Sequence, residues 1–327
     1  MTTIATHNGS FHADDVFGVS VLLEIEQRKA PDGPGAKLVR TRDPEVIAQA
    51  DYAVDVGGIW DPATGRFDHH QKGFDGGRPS GVLYASAGQV WAAHGVDFVM
   101  GLRARPPRSA VSMEVTPEEA AIVAQEVDND LVQYLDMADT GAASSAPGFY
   151  GLSMLLSSFN LTGADERYWR TRTDTMVDRV KYDAFKSACR SMTVLLTNIV
   201  HDKLDKLRSA DMVRNSERVD DGRILVLRDA GLSWFDVVCN EMPEVLFVVY
   251  PDSADQQYQL RTVPVEPSSF KARKDLPRAW AGLRDADLAK VTGVADAVFC
   301  HNSVFIGGAK SLDGVLRMAR LALVDPA

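Results

Sequence analysis

Cysteine is scarce in this sequence: Cys189, Cys239 and Cys300 are odd in number and far apart. No disulfide framework can be built from them, which points to a reducing compartment, the cytoplasm by default. Long apolar runs are missing too; none approaches the roughly 20 residues that span a bilayer, so no membrane partner is expected. The opening stretch, "MTTIATHNGSFHADD", has neither the basic and apolar regions of a secretory leader nor the arginine-rich character of a transit peptide. Positive charge is in deficit: 35 Lys and Arg against 45 Asp and Glu leave a net charge of −10. A protein that coats duplex DNA through many phosphates carries a basic face, and this balance speaks against that class. A short anionic substrate held by metal ions and a few local cations remains compatible with it.

What is present has the pattern of a two-domain α/β chain, 327 residues being long for a single core. "TTIATH" reads as a buried strand, 12–28 as a helix, "KLVRTR" as a second strand and "DPEVIAQA" as a helix capped by Asp43 with Pro44 at its first position. "DYAVDVGG" is a third strand, and a turn at 61–65 leads into a fourth extended segment. Strand alternating with helix predicts a parallel sheet with right-handed crossovers. A helix over 86–95 follows, then an arginine- and proline-rich insertion at 100–114. Residues 116–141 read as helical, with capping-box spacing between Thr116 and Glu119, and 150–208 as mostly helical. A second α/β region begins near 222, with strands over 223–229, 244–251 and 257–265 and a last helix over 311–324. The expected domains are 1–210, a parallel-sheet lobe, and 222–327, a smaller α/β lobe, with the active site between them.

Histidine is rare, yet four of the seven fall within residues 7–12 and 69–70. Placed on this outline, His7 ends the first strand, His12, Asp14 and Asp15 follow it, and Asp55 ends the third. Asp68, His69 and His70 end the fourth, while Asp136 and Asp139 close the long helix. Ligands of an open parallel sheet gather outside the carboxyl ends of its strands, so these groups are expected in one crevice. Such an acidic group is too costly to bury without cations. Mixed imidazole and carboxylate donors suit Mn²⁺, Fe²⁺, Co²⁺ or Zn²⁺, and six or more of them suggest two ions with a bridging carboxylate. Taken singly, the same residues have plainer readings: His12 with Asp14 and Asp15 as a helix cap, Asp55 as a turn residue, Asp139 as a helix-end residue.

"THNGSFHADD", "VDVGGIWDPATGRFDHHQKGF", "SAGQVW" and "DMADTG" together resemble the successive motifs of the Myg family, the melanocyte-proliferating-gene proteins of the DHH phosphoesterase superfamily. The likeness continues through "LRTVPV", "LPRAWAGLRDADL" and "HNSVFIGGAKSLDGVLRMA", over nearly the whole chain. It implies a two-lobed DHH-type α/β fold with a dinuclear centre, Mn²⁺ foremost and Mg²⁺, Co²⁺, Fe²⁺ or Zn²⁺ as other candidates. It also implies an enzyme like its eukaryotic relatives, which are described as 3′–5′ RNA exonucleases. By similarity, His7, His12 and Asp14 are first-motif ligands, Asp55 the bridging carboxylate, His69 a ligand and Asp139 part of the second ion's shell. Asp68 would orient this assembly through hydrogen bonds, and His70 would contact the scissile phosphate. His12 stands where the superfamily commonly has an aspartate; the roles of Asp15, Asp136 and the insertion stay open.

For the second lobe, Arg261, Lys271, Arg273, Lys274, Arg278 and Arg284 form a local basic excess over 261–284. Arg261, Arg273, Lys274 and His301, with amides at Gly307 and Gly308, are expected to clamp substrate phosphates. Trp234, Phe235 and Trp280 read first as core and second as base-stacking rings. The expected function is a metal-dependent phosphoesterase, a 3′–5′ exonuclease on single-stranded RNA or short oligonucleotides. A pyrophosphatase or cyclic-dinucleotide phosphodiesterase, a C–N hydrolase and a non-catalytic metal-binding protein remain alternatives. Self-association as a homo-oligomer is left open.

Overall fold

Neighbours on both sides and helices on both faces make the first strand, β1 (Thr3–Thr6), buried along nearly its whole length. In the computed structural model, which describes residues 1–102, 114–142, 151–252, 257–267, 269 and 271–326, it is followed by α1 (Ala13–Lys29), β2 (Lys37–Arg40) and α2 (Pro44–Gln49). Asp43 caps α2 by accepting the Glu45 amide. Then come β3 (Tyr52–Val54), β4 (Trp60–Asp61), a tight turn closed by Gly65 in the left-handed region, and β5 (Arg66–Phe67). These strands form one sheet in the order β2-β1-β3-β5-β4, parallel except for the β4–β5 pair. The parallel sheet with helical crossovers expected from strand–helix alternation is therefore present.

Helix α3 (Ser86–Met100) packs beside α1. Gly18 allows this close approach: a Cβ there would meet Val54 at 3.0 Å and Val90 at 3.2 Å. Residues 116–141 do not form one uniform helix. Helix α4 (Pro117–Val127), opened by the Thr116–Glu119 capping box, passes through a wide π turn at Asp128–Val132 into α5 (Gln133–Asp139). Three helices follow: α6 (Leu152–Ser157), α7 (Gly163–Arg170) and the 41-residue α8 (Asp174–Arg214). The insertion expected at 100–114 lies, for 103–113, outside the described residues.

The fold divides into two units, residues 1–204 and 205–327, with the division inside α8. The second unit contains β6 (Glu217–Val219), β7 (Ile224–Val226), α9 (Phe235–Glu241), β8 (Phe247–Pro251), β9 (Tyr258–Thr262), α10 (Asp285–Thr292), β10 (Ala297–Cys300), β11 (Ile306–Ala309) and α11 (Leu312–Val324). Its sheet runs β10-β11-β9-β8-β7-β6, antiparallel apart from β7–β8. Both faces are covered. Phe247, Val249 and Leu260 pack with Met318 of α11, while Val248 and Val263 pack with Val237 and Val238 of α9. The chain is thus α/β in both units, as expected. Among the described residues no helix is long and apolar enough to cross a membrane.

Candidate metal centre

Because β1, β3 and β5 are adjacent in the sheet, their carboxyl ends bring His7, Asp55 and the Asp68–His70 segment side by side. The first turn of α1 adds Asp14 and Asp15, and the last turn of α5 adds Asp139. Three groups result, each with ligand atoms within 4.8 Å of one another: His7, Asp15 and Asp55; Asp55, His69 and His70; and His12, Asp14 and Asp139. Asp55 belongs to two of them, and His69 Nε2, 3.1 Å from Asp139 Oδ2, links them to the third. All six residues expected as ligands are placed in these groups. So is Asp15, whose role the sequence left open. Asp14 and Asp15 are neighbours on a helix, about 100° apart, so one faces the His12 group and the other the His7 group.

The residues fit divalent cations. Asp14 is fully buried, and both its oxygens lack a hydrogen-bond partner, as do Asp15 Oδ2, His7 Nε2 and His69 Nε2. His7 Nε2 approaches Asp15 at 3.1 Å and Asp55 at 3.3 Å, close enough for an ion pair but without hydrogen-bond alignment. Buried polar atoms left so are costly, and a cation among them would satisfy all at once. The same conflict appears in the ionisation. Burial, followed by repulsion from Asp55, Asp139 and Asp15, drives the Asp14 carboxyl well above the usual carboxylate range. Asp55 goes the other way: against burial, His69, His7 and His70 hold it far below that range. Burial also opposes charge on His7 and His69, but their carboxylate neighbours raise them to about 9 and about 10.

Asp55 sits at φ 56°, in the left-handed region, where aspartate and asparagine are tolerated better than most residues. Its amide donates to the Phe67 carbonyl at 2.9 Å, and its Oδ1 accepts from Ser86 Oγ at 3.3 Å. Asp68 is buried and holds three groups: the Gly58 amide at 2.6 Å on Oδ2, and the His70 amide at 3.0 Å and His70 Nδ1 at 2.8 Å on Oδ1. His70 itself is 63% exposed. Bonds to Asp55 and then Asp68 raise it to about 9, so the exposed ring carries a positive charge at neutral pH.

Loop 7–12 is held from two directions. Arg40 donates to the carbonyls of His7 at 3.1 Å and Gly9 at 2.6 Å. Asn160, just after α6, pairs with both the amide and the carbonyl of Phe11. Nothing local in the sequence marks either residue; only the fold brings them there.

The residues expected to clamp phosphate in the second unit are placed less uniformly. Arg273 is engaged internally, its guanidinium donating to the carbonyls of Met242, Val245 and Cys239 at 2.6–2.9 Å, where it fastens the end of α9. Lys274 donates to the Asp325 carbonyl. Gly307 and Gly308 lie inside β11, buried and paired with β10 on one side and β9 on the other, so their backbone serves the sheet. A Cβ at Gly308 would meet the Phe299 ring and the Tyr258 carbonyl, both at 2.9 Å; close packing accounts for this glycine. At all four positions, then, these hydrogen bonds run within the unit itself. Arg261 and His301 differ. Arg261 lies over the Phe305 ring at 5.2 Å, His301 is exposed with its ring 4.6 Å from that of Phe305, and Arg261 lines a pocket of about 270 Å³ with Lys206, Trp234 and Tyr250. Trp280 is core.

The raised histidines make metal uptake pH-dependent with a definite sign. A ligand imidazole must be neutral, so a cation held by His7 and His69 would have to displace their protons at pH 7. Mn²⁺ binding at pH 7 is therefore expected to release protons, and apparent affinity to rise with pH until about pH 9–10. Calorimetric titrations in buffers of different ionisation enthalpy check this; binding without proton release would contradict it. In the metal-free chain the raised values stabilise the fold fully below the ordinary histidine value of 6.5, and that contribution is lost as pH rises through about 9 to 10.

The chain is 30% identical to the human "MYG1 exonuclease", over 98% of this chain and 86% of that protein, and 31% identical to the mouse protein of the same name, over 98% and 85%. A MYG1 protein of Schizosaccharomyces pombe is 28% identical over 100% of this chain and 98% of its own length. Among solved structures, that of RecJ in complex with Mn²⁺ from Thermus thermophilus gives a TM-score of 0.27 at 16% identity, covering 99% of this chain and 52% of that one. That likeness is too slight to carry an argument. The MYG1_exonuc family model, described as an uncharacterised protein family (UPF0160), matches residues 3–323, and the chain belongs to that family.

Proposed function

We propose that this protein is a metal-dependent phosphodiesterase, a 3′–5′ exonuclease on single-stranded RNA or short oligonucleotides. The observation that carries this reading is the convergence of eight imidazole and carboxylate side chains, from His7 to Asp139, on one sheet edge in three adjoining groups. They offer more donors than one ion takes, and the names of the human and mouse relatives point to the same chemistry. His7, Asp15 and Asp55 would hold one divalent cation, and His12, Asp14 and Asp139 the other, with His69 between them. Bound there, two such ions supply Lewis acidity, which activates water near neutral pH and offsets charge on a phosphate.

The chain's own part is binding and orientation. Asp68 accepts from His70 Nδ1 and fixes the ring, leaving Nε2 of the exposed imidazole to face a phosphate oxygen. Beside the His12 group runs a groove of about 240 Å³, walled by Ala13, Leu135 and Ala138 and by the hydroxyl residues Ser153 and Ser157. It has room for a sugar or a base next to the reacting phosphate. In the second unit, Arg261 and the rings of Trp234 and Tyr250 provide a cation and stacking faces suited to a nucleotide.

The test is metal analysis of the purified chain, followed by Mn²⁺-dependent assays on labelled single-stranded RNA, single-stranded DNA, pyrophosphate and cyclic dinucleotides. RNA shortened from its 3′ end is the expected result. Failure to turn over RNA or DNA with the ions in place removes this function.

A further inference from the structure

Arg78 and Asp136 have no part in the chemistry above, yet both are buried close to it. Arg78, between β5 and α3, donates through Nε and Nη2 to Asp128 at 2.6 and 2.5 Å. Its Nη1 lies 2.7 Å from Asp136 Oδ2, and Asp136 Oδ1 accepts the Gly88 amide at 2.9 Å. Tyr84 supports the guanidinium, whose carbon lies 4.6 Å from the ring centre. Asp128 belongs to the π turn, where the Gln133 amide reaches back to the Asp128 carbonyl. Gly88 leaves no space: a Cβ would collide with Asp136 Oδ2, stand 2.5 Å from the Tyr84 ring and 2.9 Å from Arg78 Nη2.

This clamp joins the two helices that complete the metal centre. The first turn of α3 carries Ser86, which donates to Asp55, and Gln89, whose Nε2 donates to the Asp68 carbonyl at 3.1 Å. Helix α5 carries Asp139 three residues after Asp136, on the same side of the helix. A buried ion pair contributes little net stability, because desolvation offsets most of the attraction. What a planar guanidinium between two carboxylates does give is fixed geometry.

We infer that Arg78 and Asp136 are positioning residues for the metal centre: by locking the first turn of α3 to α5, they set where Asp139 stands and hence the affinity of the ion held by His12, Asp14 and Asp139. The inference rests on reading the site as a metal centre. Neither residue is assigned a contact with metal or substrate.

Calorimetric Mn²⁺ titration of the full chain, with thermal unfolding in parallel, tests it. Asp136→Asn, Gly88→Ala and Arg78→Lys are each expected to weaken one class of Mn²⁺ site by about 10–100-fold, the range for residues that orient ligands, and to leave the other class nearly unchanged. Asp128→Asn keeps the Arg78–Asp136–Gly88 links, so it is expected to lower the unfolding midpoint with both Mn²⁺ affinities retained. If Asp136→Asn and Gly88→Ala fold, melt lower and bind Mn²⁺ as the wild type does, the clamp is structural only and the inference is overturned. A wild-type chain that takes up no ion overturns the metal-centre reading, and this inference with it.

Discussion

Substituting Asp55 by asparagine is expected to lower metal-dependent turnover by about a thousandfold or more, at the upper end of what removing one electrostatic group costs, while the chain stays folded. Asparagine has the shape of aspartate and tolerates the same left-handed backbone, so φ 56° adds no new strain. The Ser86 hydroxyl and the Phe67 carbonyl keep partners at this residue. What disappears is the charge shared by two ligand groups and faced by His7, His69 and His70 at 3.3–3.5 Å. Unfolding free energy is expected to fall by only about 1–3 kcal/mol, as for loss of hydrogen bonds to a charged group. Three measurements separate the effects: Mn²⁺ content, turnover on 3′-labelled RNA and the unfolding midpoint. An asparagine variant that keeps turnover within tenfold of wild type would show that Asp55 does no chemistry.

The largest loss of stability is expected from Phe185→Ala. Phe185 lies in α8, wholly buried, with its ring edge-on to Phe11 at 5.2 Å. Arg40, which holds the His7 and Gly9 carbonyls, lies over the same ring at 4.6 Å. Truncation leaves a cavity and costs about 3–5 kcal/mol, the usual range for a buried phenylalanine. It also strips Arg40 of its platform, so the loop carrying His7 and His12 should loosen and Mn²⁺ affinity should fall with stability. Phe185→Leu, which keeps most of the volume, should cost less than about 1.5 kcal/mol. Denaturant unfolding of the metal-free chain and Mn²⁺ titration of both variants check this; equal stability for alanine and leucine would contradict the packing account.

The ligand-bearing half of the site is largely visible in the sequence, for a topological reason. Parallel strands with helical crossovers must place their carboxyl ends together, so His7 at the end of "TTIATH", Asp55 in "DYAVDV" and Asp68 just past "GRF" have to meet. Asp15 is harder to read, because "ADD" gives two equivalent aspartates until the helical turn sends them to different partners. Arg78 and Asp136, and Arg40 with its two carbonyls, are long-range pairings that no local spacing encodes. The second unit is harder to read. A run rich in lysine and arginine reveals charge but not destination, and Arg273 turns inward to the end of α9 while Lys274 meets the chain terminus. Likewise the glycine pair of "IGGA" reads as amides open to an anion, while the pairing on both edges puts it inside a strand.

The widened turn at Asp128–Val132 sets which way the rest of the helix faces. A π turn fits about one more residue into a full rotation than a regular turn, so tightening it to a regular helix with all five residues kept would swing Asp136 and Asp139 roughly 90° around the axis. The carboxylates would then face away from Arg78 and His69. A change that tidies the helix at full length would thus blind the site, whereas one that also removed a residue there would keep both carboxylates on their present side.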